Sequence, residues 1–418
     1  MINIFGQFTY IYIYKMIKKI QKIDLVILVG GYGSRISKYT KKIPKPIIKI
    51  NNRNFLSYII NHYSKYCFNN IYLLAGYKGE KIKKLYHNKL FNLIKINCII
   101  ENKKLGTGGA LSLLKDKVKN NFILMNGDSF VDIDLSFLFK HNLHYKFDAL
   151  MFLIKNLNYK DNNKLTKLSL NKDQIISYGG KYMNSGIYYF KNKILKNIPK
   201  KQISLENSIL KKLIKNKKVK GKKIKSDFID IGTYKNLKFT KKNFYKKFIR
   251  PAIFLDRDGV INHDYGYVHK IKYFKLKRGI IKTIKFLNKK KYNIFIVTNQ
   301  SGIARGYYTE DEFISFSKKI KKIFFNKGCF INDLQYCPYL KGSKINRYNK
   351  QSSLRKPGNK MLENLKKKWP IKQKSSFMIG DQKKDEICAR RSKIYFQYSS
   401  NNIFKQVKYI IKNINNYY

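Results

Sequence analysis

The chain has few acidic residues, few cysteines and no long apolar run, and each shortage disfavours a class of protein. Only 24 of its 418 residues are Asp or Glu, against 89 Lys and Arg, so the formal net charge is +65. The five cysteines are scattered without a CxxC pair, which disfavours a disulfide framework and predicts a reducing compartment, the cytoplasm. No apolar run is long enough for a transmembrane helix, and we predict no membrane partner.

The excess of positive charge would by itself suggest a nucleic-acid partner. The lysines are instead dispersed through every segment together with Ile, Asn, Tyr and Phe, and no basic stripe is set apart. Dispersed lysines are typical of solvated faces, and a codon bias toward A and T produces the same composition. We therefore predict no nucleic-acid partner and expect the charge to favour small phosphorylated ligands.

Short apolar runs alternate with longer lysine-rich segments of helical period. The runs end in Gly, Asp, Asn or Thr, and they are DLVILVG, NIYLLAG, NFILMNGD, AIFLD, YNIFIVTN and SFMIGD. This alternation predicts an α/β fold with polar groups at the carboxyl ends of parallel strands, where open α/β sheets bind ligands.

We predict four parts along the chain: an N-terminal extension (1–22), a first domain (23–240), a linker (241–250) and a second domain (251–418). The extension begins MINIFGQFTYIYIYK and lacks the basic start and cleavage site of a signal peptide. We expect it to be either a disordered extension or a set of residues ahead of a true start near Met16. The stretch KNLKFTKKNFYKKFIR has no strand pattern and no acid, which indicates a linker or a connecting helix.

Four polar clusters follow in order after Pro251: FLDRDGVIN, IFIVTNQSGIARG, LRKPGNKM and FMIGDQKKDE. Each lies at a predicted strand end or helix start, so the four can converge on one crevice. A carboxylate is a usable nucleophile toward a phosphoryl group, so Asp256 would form an aspartyl-phosphate. Asp258 would protonate the leaving alcohol and then activate water.

Several carboxylates that share one site need a cation, and Mg²⁺ suits ligands that are all oxygen. The expected ligands are Asp256, Asp381 and the backbone carbonyl of Asp258, with Asp385 in support. Thr298 would donate its hydroxyl to the phosphate, and Lys356 would neutralise its charge.

Together, FLDRDGVIN, DYGYVH, TNQSGIARG, RKP and GDxxxD resemble the haloacid dehalogenase superfamily over about 251–394. Within it they are most similar to the D-glycero-D-manno-heptose 1,7-bisphosphate 7-phosphatases, although histidinol-phosphate phosphatases share the motifs. The resemblance implies a doubly wound parallel sheet. It also implies that substrate contacts come from Asp264, Tyr265, Gly266, Tyr267, Thr298, Asn299, Gln300, Ser301, Arg355 and Lys356.

Two departures from that branch are visible. The branch usually carries a structural zinc loop, but here only Cys337 remains, with Tyr339, Ser352 and Leu354 at the other ligand positions. Because one thiolate cannot make a tetrahedral zinc site, we predict no zinc and expect Cys337 to be a small buried hydrophobe. Gln382 stands where a lysine often follows the GD, which removes a charge that would face the phosphate.

In the first domain, DLVILVGGYGSRI is a strand followed by a glycine-rich loop. Glycines let backbone amides approach phosphates, and Arg35 adds a positive fork for a triphosphate. The loop lacks the GxGxxG spacing of dinucleotide sites. In order, GGxGxR, KP, LGTGGA, NGD, NSGIY and DIGT resemble the sugar-1-phosphate nucleotidyltransferases from Asp24 to about Asn236. The LGTGGA and NGD pieces are most similar to those of the D-glycero-α-D-manno-heptose 1-phosphate guanylyltransferases.

This second resemblance implies a Rossmann-like domain with a mixed sheet, in which a sugar phosphate attacks a nucleoside triphosphate, with GTP favoured. Arg35 and Lys45 would neutralise phosphate charge, and Asp128 and Asp230 would hold Mg²⁺. The base or the sugar would contact Glu101 and Asn184. The nucleotide would contact two glycine loops, through Gly30, Gly31, Gly33, Ser34, Gly106, Thr107, Gly108 and Gly109. Many relatives carry a Glu-Lys pair before NSG; here SYGGKYMNSG offers only Lys181.

The two implied reactions are consecutive, because the phosphatase would release the sugar 1-phosphate that the guanylyltransferase consumes. We therefore predict a bifunctional enzyme that makes GDP-heptose for surface polysaccharide. One alternative is a mannose-type nucleotidyltransferase fused to a histidinol-phosphate-like or other small-molecule phosphatase. A second is a non-catalytic regulatory relative, which the retention of every catalytic acid disfavours. A third, a nucleic-acid phosphatase, lacks an aromatic stacking platform in the sequence.

Overall fold

The computed structural model describes residues 20–140, 147–155 and 167–414. Most of the predicted N-terminal extension, with Met16, lies outside these ranges. The chain forms two compact units: one holds 21–60 and 68–245, and the other runs from Lys246 onward and includes 61–67. Within the described ranges, no helix combines the length and the apolar character needed to cross a bilayer.

The first unit is built on a mixed ten-stranded sheet and two short two-stranded sheets. Its strands are β1 (Ile23–Leu28), β2 (Lys49–Ile50), β3 (Arg53–Asn54), β4 (Ile71–Ala75), β5 (Leu90–Phe91), β6 (Ile94–Ile100), β7 (Asn121–Asn126), β8 (Ser129–Val131), β9 (Ala149–Lys155), β10 (Leu168–Leu170), β11 (Ile176–Tyr178), β12 (Tyr182–Phe190), β13 (Val219–Ile224) and β14 (Phe228–Asp230).

The large sheet has the order β11-β10-β12-β7-β1-β4-β6-β5, and β9 joins β12 to β13. Its centre is parallel, since β1 pairs with β4 and β7, and β4 with β6. β12 then pairs antiparallel with β7, β9 and β10. The central strands are almost entirely buried, as expected where a parallel sheet is covered on both faces. The small sheets are β2–β3 and β8–β14.

Helices cover this sheet, and the last of them overlaps the predicted linker (241–250). The helices are Ser37–Thr40, Phe55–Tyr63, Gly79–Tyr86, Gly106–Gly109, Lys211–Lys215 and Tyr234–Phe248, with a π-helix at Leu205–Leu210. In the last helix, the Phe244 ring lies 5.2 Å from Phe55 and 5.5 Å from Phe130. The stretch is therefore a connecting helix that packs on the first unit through Phe244.

The second unit has a five-stranded parallel sheet. Its strands are β15 (Ala252–Leu255), β16 (Asn293–Asn299), β17 (Asp333–Cys337), β18 (Phe377–Gly380) and β19 (Tyr395–Tyr398), in the order β17-β16-β15-β18-β19. The helices are Ile280–Lys289, Ser301–Ala304, Glu310–Asn326, Lys360–Lys368, Lys383–Arg391 and Ile403–Asn413. The strand order reverses at β15, so a ligand crevice is expected where β15 ends, between β16 and β18.

Both fold predictions are confirmed, and all six apolar runs form strands. The first unit has the mixed sheet and the second has the doubly wound parallel sheet. In the second unit, buried side chains such as Phe254, Phe295, Trp369 and Met378 form the core between the sheet and a helix. That core fixes the carboxyl ends of β15, β16 and β18, where the polar residues lie.

Candidate active sites

Three carboxylates cluster at the carboxyl edge of the parallel sheet. Asp256 follows β15, Asp381 follows β18, and Asp385 lies in the first turn of the helix Lys383–Arg391. One oxygen from each lies within 4.8 Å of the others; Asp256 and Asp385 are buried and Asp381 is exposed. The Gln382 amide donates to Asp385 Oδ2 at 3.1 Å. This all-oxygen donor set, open on one side, fits a hard divalent cation such as Mg²⁺.

Lys356 lies fully buried between two of these carboxylates. Its Nζ is 2.8 Å from Asp256 Oδ2 and 2.5 Å from Asp385 Oδ1, and it donates to the Val297 carbonyl at 3.1 Å. Burial raises the pKa of Asp256 to about 7, although the Lys356 charge opposes the shift. Burial acts to lower the pKa of Lys356, but the two carboxylates outweigh it and the pKa is raised. The site therefore keeps a fixed positive charge beside Asp256.

Gly259 allows Asp381 to approach the loop after β15. Its φ is +77°, and a Cβ built there would lie 2.5 Å from Asp381 Cγ and closer still to Oδ2. A non-glycine residue would be strained at this φ and would also displace the carboxylate. The glycine of the DRDG segment is thus required by the geometry of the acidic cluster.

Asp258 is held by two neighbours that the sequence did not single out. Arg257 Nη2 lies 2.7 Å from Asp258 Oδ2, and Asn262 Nδ2 donates to Oδ1 at 2.9 Å. Arg257 is itself buried, and its Nη2 also donates to the Val268 carbonyl at 2.7 Å. The Asp258 side chain keeps 19% of its surface exposed, so it still faces solvent. The only sequence signal for these partners was their position inside FLDRDGVIN.

The residues at the end of β16 position one another and Lys356. The buried Thr298 accepts a hydrogen bond from Gln300 Nε2 at 2.8 Å, and Gln300 Oε1 accepts one from Tyr308 at 2.7 Å. The Asn299 side chain donates to the Lys356 carbonyl at 3.1 Å and accepts from its amide at 3.0 Å. Asn299 and Gln300 thus make positioning contacts that were not predicted, and their predicted contact with substrate stays a prediction.

The predicted substrate loop is exposed. Tyr265 and Tyr267 are 60% and 42% exposed, and Asp264 Oδ1 accepts a hydrogen bond from the Gly266 amide at 2.9 Å. Ser301 is half-buried at the start of a short helix. Arg355 Nη1 is buried, and it has no hydrogen-bond partner among the residues that the structure describes. Substrate contact by this set stays a prediction.

Cys337 ends β17 and is fully buried in the core together with Trp369. Burial raises the pKa of its thiol. The Glu310 carboxylate accepts a hydrogen bond from Tyr336, the residue before Cys337, at 2.6 Å, and another from Tyr348, in the segment that follows, at 3.0 Å. Sequence reasoning missed this tyrosine–carboxylate contact, because Glu310 lies in a helix far from the loop in sequence.

The first unit contains a cavity of about 410 Å³ that brings together five predicted residues. They are Arg35, Lys45, Asp128, Asn184 and Asp230. Lys45 Nζ lies 2.5 Å from Asp128 Oδ2, and its side chain is only 11% exposed. A cation and two carboxylates therefore share one wall, while Lys181 is exposed and is not among the lining residues.

Strand pairing places the two acids on the same wall. β8 and β14 are antiparallel and set Asp230 opposite Ser129, next to Asp128. The Asp230 carboxylate accepts hydrogen bonds from the Gly232 amide at 2.6 Å and from Asn236 Nδ2 at 2.7 Å. Two fixed carboxylates facing one cavity fit an oxygen-ligated divalent cation. Asn236 was not predicted, because it follows the DIGT motif inside a helix of lysine-rich character.

Asn184 reaches the cavity through an irregularity in β12. The pairing of β12 with β9 shifts between Asn184 and Tyr188, and such bulges re-aim side chains. The Asn184 side chain donates to the Tyr188 hydroxyl and accepts from the Gly186 amide at 2.9 Å.

Glu101, in contrast, lies at the first glycine-rich loop. A Cβ on Gly30 would be 3.3 Å from Glu101 Oε1, and Oε2 accepts a hydrogen bond from the Leu105 amide at 3.1 Å. In the same loop, Gly31 and Ser34 are exposed, and Gly33 precedes the 3₁₀ turn Ser34–Ile36. Glu101 and Asn184 thus lie in different parts of the unit's binding region.

The LGTGGA loop packs tightly against another segment of the chain. The amides of Gly108 and Gly109 both donate to the Ile203 carbonyl, at 3.0 and 3.3 Å. A Cβ on Gly109 would overlap the carbonyl oxygen of Lys201. Packing that was not predicted therefore requires these two glycines, and their amides are engaged within the protein. A nucleotide contact by the pair stays a prediction.

The other half of the loop is more open. Gly106 is half-buried and Thr107 is exposed. Thr107 Oγ1 accepts a hydrogen bond from the Leu205 amide at 2.9 Å and lies 3.2 Å from Glu206 Oε2. The loop is therefore tied to the π-helix Leu205–Leu210, whose Glu206 lines the cavity.

Comparison with known proteins identifies the family of each unit. Residues 25–246 match the family model of nucleotidyl transferases, and residues 255–409 match that of polynucleotide kinase 3 phosphatases. A D-glycero-beta-D-manno-heptose-1,7-bisphosphate 7-phosphatase of Photorhabdus laumondii is 39% identical over 144 residues, which cover 34% of this chain and 77% of that protein. The alpha-series phosphatase of the same organism is 38% identical, over 34% of this chain and 77% of that protein.

A solved structure, HddC from Yersinia pseudotuberculosis, is 26% identical and covers 53% of this chain and 99% of its own, with a TM-score of 0.44. The nucleotidyl transferase model alone spans more than half of the chain. The chain is therefore a fusion of two enzymes, which belongs to the nucleotidyl transferase family through residues 25–246 and to the phosphatase family of these heptose-bisphosphate relatives through its C-terminal unit.

Proposed function

We propose that the chain is a bifunctional, Mg²⁺-dependent enzyme of nucleotide-activated heptose synthesis. Its C-terminal unit hydrolyses the 7-phosphate of D-glycero-D-manno-heptose 1,7-bisphosphate. Its first unit transfers a guanylyl group from GTP to the resulting heptose 1-phosphate, which gives GDP-heptose and pyrophosphate. The observation that supports this most is the 39% identity to a phosphatase of that name in a chain that also carries a nucleotidyltransferase.

In the phosphatase unit, an Asp256 oxygen attacks the phosphorus of the 7-phosphate. The bond from phosphorus to the heptose O7 breaks, and Asp258 donates a proton to that oxygen. Water then attacks the aspartyl-phosphate and gives its proton to Asp258, which releases orthophosphate and restores Asp256. Lys356, fixed between Asp256 and Asp385, stabilises the charge on the phosphoryl group.

Magnesium bound by Asp256, Asp381 and Asp385 would supply further charge neutralisation. The donor set supports this assignment, because three carboxylate oxygens lie within 4.8 Å of one another. Arg257 and Asn262 keep the Asp258 carboxyl in place for both proton transfers.

In the first unit, a phosphate oxygen of heptose 1-phosphate attacks the α-phosphorus of GTP, and the bond to the β-phosphate bridging oxygen breaks. Such transfers depend on positioning and charge neutralisation. Arg35 and Lys45 supply positive charge, and Asp128 and Asp230 would hold Mg²⁺, which would add further charge neutralisation. The common cavity of these four side chains supports the assignment. The preference for guanine depends on the resemblance of the LGTGGA and NGD segments.

The decisive experiment supplies the purified chain with heptose 1,7-bisphosphate of either anomer, GTP and Mg²⁺. Orthophosphate, pyrophosphate and GDP-heptose should all form. Orthophosphate without a nucleotide sugar would count against the first-unit assignment. The substrate panel should include histidinol phosphate, mannose 1-phosphate and a 3′-phosphorylated oligonucleotide. If the chain reacts faster with any of them than with the heptose substrates, that compound becomes the assigned substrate.

Separate sites predict separate losses. Asp256→Asn should abolish orthophosphate release, while pyrophosphate release from GTP and heptose 1-phosphate continues at the wild-type rate. A joint loss in a folded variant would contradict two independent sites.

A cytoplasmic location is part of the same proposal. It is supported by the five cysteines, which are all free and buried. Cell fractionation would test it.

A further inference from the structure

The cavity of the first unit has a second polar wall that the sequence motifs do not account for. The wall is formed by the π-helix Leu205–Leu210 and the residue that follows it. Three of its polar side chains line the cavity: Glu206, Asn207 and Lys211. They face the same space as Asp128 and Asp230, where nucleotidyl transfer is proposed to occur.

The π-helical geometry explains how Glu206 and Lys211 reach the same cavity. In an α-helix, residues five apart would be separated by about 140° around the axis. A π-helix links residues five apart by its hydrogen bonds, so that they lie on nearly the same side, and such turns occur frequently at functional sites. The turn begins at Ser204, whose hydroxyl accepts a hydrogen bond from the Asn207 amide at 3.1 Å.

Lys211 differs from the other lysine of the cavity in having no anionic partner. Lys45 is held by Asp128 at 2.5 Å. Lys211 is exposed, and within the part of the chain that the structure describes no hydrogen bond or ion pair engages its ammonium group. It therefore presents an available positive charge to the cavity.

Glu206 connects this wall to the LGTGGA loop. Its Oε2 lies 3.2 Å from both Thr107 Oγ1 and Ser204 Oγ, each of which can donate. Glu206 Oε2 is thus engaged within the protein, whereas Oε1 accepts no hydrogen bond from the residues that the structure describes. The remaining lining includes the apolar side chains Met151, Leu168, Met183 and Phe228. A polar ligand with an apolar carbon face fits this combination, as a sugar does.

The reaction brings two anions into one cavity, a triphosphate and a sugar phosphate. Each needs its own cationic contact, because the charge of the incoming phosphate would otherwise be repelled. Lys45 is already bound to Asp128, whereas the ammonium group of Lys211, which lines the same cavity as Glu206, has no ion-pair partner among the residues that the structure describes. We propose that Lys211 binds the phosphate of the sugar 1-phosphate and that Glu206 accepts hydrogen bonds from the sugar hydroxyls. This inference depends on the proposed nucleotidyl transfer.

Lys211→Met removes the charge and keeps most of the aliphatic stem. The loss of one charged hydrogen bond should raise the KM for the sugar 1-phosphate by roughly 10- to 100-fold. The KM for GTP and the phosphatase rate of the same chain should stay unchanged. The matched control is Lys212→Met, since Lys212 is the exposed neighbour on the same helix and does not line the cavity.

An unchanged KM for the sugar 1-phosphate, or an equal rise in Lys212→Met, would overturn the inference. If Lys211→Met also loses phosphatase activity, Lys211→Arg decides instead, because it keeps the charge and should restore sugar 1-phosphate binding. Failure of the proposed function gives a different result: the wild-type chain would form no nucleotide sugar from any substrate. Calorimetric binding of the sugar 1-phosphate would then still test Lys211, and absence of binding to the wild type would overturn both.

Discussion

Gly259 offers a sharp test of the phosphatase site, because backbone conformation and close contact both require a glycine there. Its φ is +77°, and a Cβ would lie 2.5 Å from Asp381 Cγ. Gly259→Ala therefore adopts a strained left-handed backbone and pushes Asp381 away from Asp256. We expect this variant to lose orthophosphate release and to keep nucleotidyl transfer.

The loss of stability and the loss of catalytic rate in Gly259→Ala can be estimated separately. A left-handed alanine costs roughly 1–2 kcal/mol of stability. Carbon atoms in contact sit about 3.5–4.0 Å apart, so the Asp381 carboxylate must move by about 1 Å. A misplacement of about 1 Å at a catalytic site costs about 100-fold in rate. That factor corresponds to about 2.7 kcal/mol of activation free energy.

The assay measures orthophosphate release, pyrophosphate release and urea unfolding on one preparation. Gly342→Ala is the matched control, because its φ is +81° and a Cβ there meets nothing within 4 Å. We expect both variants to lose similar stability, but only Gly259→Ala to lose phosphatase activity. Equal phosphatase activities in the two variants would refute the argument that the glycine sets the position of Asp381.

Three further predictions concern other contacts of the two sites. Lys45→Met removes the cation 2.5 Å from Asp128, so pyrophosphate release should fall by roughly 100-fold while orthophosphate release stays unchanged. A parallel fall of both activities would contradict the assignment of Lys45 to the nucleotidyl-transfer site. Glu310→Gln weakens the hydrogen bonds with Tyr336 and Tyr348. Urea titration should therefore show that the free energy of unfolding of the phosphatase unit falls by about 1–3 kcal/mol. An unchanged urea midpoint would contradict this expectation. EDTA should stop both activities, and added MgCl₂ should restore them. If either activity persists in EDTA, the proposed metal dependence of that unit is wrong.

The sequence by itself determined the strands and the chemistry of the acids. Each of the six apolar runs became a strand, because burial on both faces of a parallel sheet demands continuous apolar residues and leaves a local signal. The acids at their ends could be assigned to strand termini for the same reason. Asp256 and Asp381 therefore stood at neighbouring strand ends as soon as the strand order was known.

Only the tertiary structure decided which side chains meet. Lys356 pairs with both Asp256 and Asp385, and Asn299 accepts a hydrogen bond from the Lys356 amide. The sequence around these residues contains no pattern that predicts either contact. The π-helix that carries Lys211 to the cavity is likewise invisible in a lysine-rich segment of ordinary helical composition. The physical reason is the range of the interactions: strand formation follows from neighbours in the chain, whereas ion pairs, close glycine contacts and cavity walls join distant segments that only the packed fold brings together.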